Sequence, residues 1–139
     1  MYRPVYFEPE ELVPPEVFEL HGEKSYKLFD DHVLKMLDNF RCQFDSPLMI
    51  NNYRLGYTES GYRTVGTKTG AKRSSHKFAC AFDLKTHNMP ALRQFIKERG
   101  ADFYIWRVEK FDKTVGKHQD WCHVQFGFEP TKDIYYFNP

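Results

Sequence analysis

The sequence predicts an α+β domain, a small antiparallel sheet flanked by helices. Two observations carry that expectation. Val33, Leu34, Met36, Leu37 and Phe40 recur at helical spacing, as do Leu92, Phe95 and Ile96 further on. Residues 78–84, 102–111 and 121–128 instead alternate as half-buried strands do.

Taken in order, residues 1–28 read as an extended lead-in, because Pro4, Pro9, Pro14 and Pro15 interrupt any long helix and leave room only for a short turn at 15–20. Asp30 or Asp31 can cap the first helix, and Pro47 follows its end. Leu48-Met49-Ile50 reads as a buried strand. Residues 53–75 are rich in Gly, Thr, Ser, Lys and Arg, a loop composition, and loops carry function on rigid scaffolds. In the strand at 78–84, Ala79, Ala81 and Asp83 share one face and Phe78, Cys80 and Phe82 the other. Met89-Pro90 opens the second helix and Gly100 closes it. The strands at 102–111 and 121–128 are joined by a polar loop. In the second of them Trp121, His123 and Gln125 form one face, with Cys122, Val124 and Phe126 toward the core. Residues 133–137 read as a short edge strand or a packed tail.

A chain of 139 residues without repeats or low-complexity tracts fits one domain, 1–139, with a sizeable core. A formal net charge of +1 argues against a nucleic-acid binder that relies on bulk electrostatics. No apolar run is long enough to span a bilayer, and Met1-Tyr2-Arg3-Pro4 does not begin a signal peptide. Cys42, Cys80 and Cys122 have no framework spacing. Buried free thiols at 80 and 122 are the expectation, and a reducing compartment with them.

The chemistry concentrates in two stretches, Ser74-Ser75-His76-Lys77-Phe78-Ala79-Cys80-Ala81-Phe82-Asp83 and Asp120-Trp121-Cys122-His123. Two imidazoles and a carboxylate (His76, Asp83, His123) suit a catalytic zinc ion, which takes three protein ligands and keeps one position open for water. Asp120, three residues before His123, is close enough in sequence to stand beside that water as a base.

These stretches resemble the signature of the M15 metallopeptidases, SxHxxGxAxD followed by [DE]xxH. Ser74, His76, Ala81 and Asp83 match the first element, and Asp120 and His123 the second; Ala79 stands where the family has glycine. Ser60-Gly61-Tyr62-Arg63 is similar to the segment that precedes the zinc motif in that family, and the runs at 7–15 and 47–52 look like those of phage-encoded members. The resemblance implies the core shared with lysostaphin-type peptidases and the hedgehog domain, with Zn2+ on His76, Asp83 and His123. It implies Asp120 as the proton carrier and Arg63 on a substrate oxygen, with Arg54 as the rival for that role. The implied activity is hydrolysis of amide bonds in bacterial peptidoglycan stem peptides, by endopeptidase cleavage of endolysin type ahead of D,D-carboxypeptidase trimming. The protein is then expected in the host cytoplasm before lysis, acting on the wall from the periplasm, with neither nucleic acid nor membrane as a partner. The rival expectation is a virion-associated accessory protein, in contact with other virion proteins, that keeps the zinc site.

Around these motifs, Ser74 reads as a hydrogen-bond partner that orients the loop, and His87 and His118 as solvated loop histidines. Lys68, Lys72, Arg73 and Lys77 form a basic run that suits a substrate with free carboxylates and equally suits a solvated loop. Tyr53, Tyr57, Tyr62 and Trp121 can line a groove or pack. At Ala79 the favoured reading is that the family's glycine serves close packing, so that a methyl is tolerated there at small cost.

Overall fold

Four helices and four strands follow from capping residues and apolar spacing. The computed structural model describes residues 1–139 and shows α1 (Pro9–Leu12), α2 (Pro15–His21), α3 (Asp31–Phe44) and α4 (Met89–Arg99). Its strands are β1 (Ala81–Leu84), β2 (Ile105–Glu109), β3 (Cys122–Phe126) and β4 (Tyr135–Phe137). Asp30, rather than Asp31, caps α3 by accepting the His32 amide at 2.8 Å, and Asn88 caps α4 by accepting the Ala91 amide at 3.1 Å. Asp45 ends α3 in the left-handed conformation, two residues before Pro47.

The lead-in is not extended as expected. Pro9 and Pro15 each occupy the first position of a short helix, where the missing amide has no intrahelical partner to lose. A 3₁₀ turn from Gly22 to Leu28 then leads to α3. Asp38, buried on α3, holds the first residues in place. It accepts hydrogen bonds from the Tyr2 hydroxyl (2.7 Å), the Val5 amide (2.7 Å) and the Tyr6 amide (3.2 Å). The hydrogen bond to Asp38 pushes the Tyr2 hydroxyl up to about 12.

The sheet is open and runs β1-β3-β2-β4. β3 is antiparallel to both neighbours, whereas β4 lies parallel to β2, so the sheet is mixed and not purely antiparallel. After β3 the chain reverses, and its last strand pairs with the outer edge of β2, which runs in the same direction. Residues 48–50 form no strand; Met49 makes a single bridge to Lys85.

One face of the sheet carries Phe82, Leu84, Val108, Val124 and Phe126 into a core shared with Val33, Leu34, Leu37 and Phe40 of α3 and Leu92 and Ile96 of α4. Phe82 stacks on Phe29 at 5.8 Å and meets Phe126 edge-on at 5.9 Å. Each such fully buried side chain contributes about 1.5–3 kcal/mol relative to exposure. The opposite face is polar, and its residues line up across the strands. Asp83 pairs with His123, and Glu109 pairs with Phe137 one strand further out. Ala81 pairs with Gln125, which pairs with Arg107, which pairs with Tyr135. Side chains in register share a face, so two rows of polar groups lie side by side.

The strand expected at 78–84 begins only at Ala81. A 3₁₀ turn, Ser75–Phe78, precedes it, and Ala79 adopts φ 56°. Ala79 is therefore a left-handed residue, and the close-packing reading of this position is corrected. A left-handed alanine costs roughly 1–2 kcal/mol, partly offset by glycine's greater freedom in the unfolded chain. Ala79→Gly is therefore expected to stabilise the protein by about 0.5–1 kcal/mol. Urea unfolding checks this; an unchanged or lower midpoint would show that the turn carries no strain.

Candidate metal centre

The register of β1 and β3 puts Asp83 directly opposite His123, and the turn at Ser75–Phe78 swings His76 over the pair. Three atoms converge. His76 Nε2 lies 3.1 Å from His123 Nδ1 and 3.2 Å from Asp83 Oδ1, and His123 Nδ1 lies 3.0 Å from the same oxygen. A tetrahedral ion with bonds of about 2.0–2.2 Å has ligand–ligand edges of about 3.3–3.6 Å, a few tenths of an ångström longer than this triangle. The three residues thus form a group able to hold a metal ion.

The surroundings set the ligands' protonation and orientation. His76 Nδ1 donates to the Gly61 carbonyl at 2.8 Å, which leaves the Nε2 lone pair of a neutral ring facing the cluster. Gly61 is required there, because an added Cβ would collide with the Leu12 carbonyl. On His123 the outward nitrogen, Nε2, has the Gln125 amide at 3.1 Å and the Ser75 hydroxyl at 3.4 Å. As the Gln125 amide stands, its nitrogen donates to Nε2, so a neutral His123 ring carries its proton on Nδ1, toward Asp83; turning that amide over would make Nε2 the donor and free Nδ1. Asp83 has its second oxygen 3.4 Å from the Arg63 guanidinium. In the metal-free protein burial alone would raise the Asp83 carboxyl, but the positive charge that His76 and His123 carry when protonated, with their hydrogen bonds, outweighs it and holds the group well below the usual carboxylate range.

Arg63 is held in place by a 2.7 Å hydrogen bond from Nε to the Glu59 carbonyl. With Arg73, Arg107, Glu109, Trp121 and Gln125 it lines a cavity of about 500 Å³ over the cluster. Arg54 is exposed on a separate 3₁₀ turn and lines no part of that cavity. Asp120 is also outside it. One carboxylate oxygen accepts the Gly116 amide at 3.1 Å and the other accepts from Arg93 at 3.3 Å. Ser74 accepts the His76 amide at 3.3 Å, and His87 and His118 are exposed. Of the basic run only Arg73 reaches the cavity wall. Among the aromatic candidates, Trp121 lines this cavity and a neighbouring one that Tyr57 also borders. Tyr53 instead donates to the Val13 carbonyl at 2.6 Å, and Tyr62 packs against the core.

Sequence reasoning missed Arg107 and Glu109. Both follow from the groove-face row once β2 is paired with β3, but a bulge between Ile105 and Arg107 breaks the simple alternation that would have flagged them. Neither makes an ion pair within the chain, and burial raises the Glu109 carboxyl. No protein-family profile, curated protein or solved structure matches the chain.

Two outcomes are expected. Zn2+ binds at one ion per chain in a chelator competition, and His76→Ala or His123→Ala weakens it by more than the roughly 10–100-fold typical of losing an outer partner. Equal affinity in the variants would remove these residues as ligands. The second concerns pH in the metal-free protein. A carboxylate whose folded value is lowered contributes stability above its unfolded value of about 4 and loses it as pH falls through the folded value. Asp83→Asn should therefore flatten the acid limb of the stability curve below about pH 5; a slope identical to the parent protein's would contradict this.

Proposed function

We propose that the chain is a zinc-dependent peptidase with a hedgehog/D-Ala-D-Ala-peptidase-like core, which hydrolyses amide bonds in peptidoglycan stem peptides. The observation that carries this reading is the triangle of His76 Nε2, Asp83 Oδ1 and His123 Nδ1 beside a cavity of about 500 Å³. Three nitrogen and oxygen ligands facing a cavity leave a coordination position for water, the arrangement of a hydrolytic rather than a structural site. When bound, zinc supplies an acidic water and a Lewis acid for the scissile carbonyl.

The chain's own residues do the rest. Arg63, fixed by Asp83 and Glu59, is assigned to a substrate oxygen on which charge develops. Three arginines on the cavity wall, Arg63, Arg73 and Arg107, favour a substrate with free carboxylates, as a stem peptide has. Asp120 is proposed as the proton carrier on the motif resemblance. Glu109 is the second reading for that role, because it lines the cavity whereas Asp120 faces Arg93. Action from the periplasm on the wall, after accumulation in the host cytoplasm, belongs to the same proposal.

Purified zinc-loaded protein, Asp120→Asn and Glu109→Gln are to be incubated with isolated peptidoglycan, and the fragments identified by mass spectrometry. The parent protein is expected to create new amine and carboxyl ends. Removing the proton carrier should lower turnover by about 10²–10⁴-fold while zinc stays bound, so the variant that does this names the residue. No cleavage across several wall chemistries, with zinc bound, would replace the enzyme by a virion accessory protein that keeps the metal for stability.

A further inference from the structure

Lys85 is 3% exposed, yet its ammonium group lies inside the protein with every donor direction used. Nζ donates to the Ile50 carbonyl at 2.7 Å, the Ser60 hydroxyl at 2.8 Å and the Asp83 carbonyl at 3.1 Å. The Tyr57 ring stands 4.9 Å away. An apolar side chain of similar length would fill this space without burying a charge, so the amine's contribution lies in what it joins.

It joins the segments that orient the metal ligands. The Ser60 carbonyl accepts the Asp83 amide at 2.7 Å, and the next carbonyl, Gly61, takes the His76 Nδ1 proton. Asn51, next to Ile50, accepts the Ser60 amide at 2.9 Å through its side chain and donates to the Val13 carbonyl at 2.8 Å. One amine therefore fixes Ser60-Gly61 against β1, and through Gly61 it fixes the ring orientation and tautomer of His76 relative to Asp83. We propose that Lys85 is a positioning residue for the metal centre, setting metal affinity through Ser60 and Gly61 without touching the ion. This rests on the metal-binding reading of His76, Asp83 and His123.

The test measures Zn2+ dissociation constants by chelator competition for the parent protein, Lys85→Met, Ser60→Ala and the double variant. Phe95→Ala serves as a control, because it removes ring packing against Phe40 and Phe103 on the helical side of the core, where neither the lead-in nor a ligand is in contact. Lys85→Met and Ser60→Ala should each weaken zinc binding by about tenfold or more. The double variant should be little worse than Lys85→Met, since both changes remove the same link. Phe95→Ala should lower the melting temperature and leave zinc affinity unchanged. Parent-like affinity in Lys85→Met would overturn the proposal, as would an equal loss of affinity in Phe95→Ala. If Lys85→Met does not fold, Ser60→Ala decides by the same criterion. Absence of zinc binding in the parent protein would sink the metal reading and this proposal together, an outcome distinct from a parent that binds and a Lys85 variant that binds equally well.

Discussion

The pairing of Asp83 with His123 across the β1–β3 ladder is the constraint on which the rest depends. Strand side chains alternate, so a slip of one residue in either strand would send its ligand into the core and bring Phe82 or Val124 to the groove. The same register therefore specifies the core and the site, and any force that seats Phe82 between Phe29 and Phe126 also places Asp83 under His76. Site geometry is in this sense a by-product of apolar burial, which is far larger in energy than any contact among the ligands.

The convergence of the ligands would be awkward without a cation. His76 Nε2, Asp83 Oδ1 and His123 Nδ1 all face one point, and the Gly61 carbonyl takes the proton of His76 on the far side of its ring. Lone pairs left pointing at one another repel, and only a proton or a metal ion between them relieves it. A single proton satisfies two of the three atoms; an ion of tetrahedral preference satisfies all three. Arg63 beside the second Asp83 oxygen stabilises the carboxylate in its ionised state, the state a metal requires.

Much of this was legible in the sequence, for identifiable reasons. The helices α3 and α4 follow from spacing and caps, and His76, Asp83 and His123 stand out by residue type and order. What was not legible depends on pairing. The parallel edge strand β4, and Arg107 and Glu109 on the groove face, follow from strand order and a bulge that no local pattern encodes. Lys85 carries no local signal, because its three acceptors come from residues 50, 60 and 83. The left-handed turn at Ala79 was hidden for the opposite reason: alanine does not announce positive φ as glycine does.

The lead-in is best understood through the same site. Its prolines suggested an extended lead-in, but the Leu12 carbonyl at the end of α1 accepts the Tyr62 amide at 2.7 Å, and Val13 accepts from both Asn51 and Tyr53. Gly61 lies against Leu12 so closely that no side chain fits. His76 is the one ligand that does not sit on the sheet; its ring is held by Gly61, and Gly61 by α1 on one side and Lys85 through Ser60 on the other. The most local part of the centre, a four-residue turn, is thus supported by residues more than sixty positions earlier in the chain. Metal affinity should then depend on the packing of α1, because a ligand on a turn is only as well placed as the elements that hold the turn.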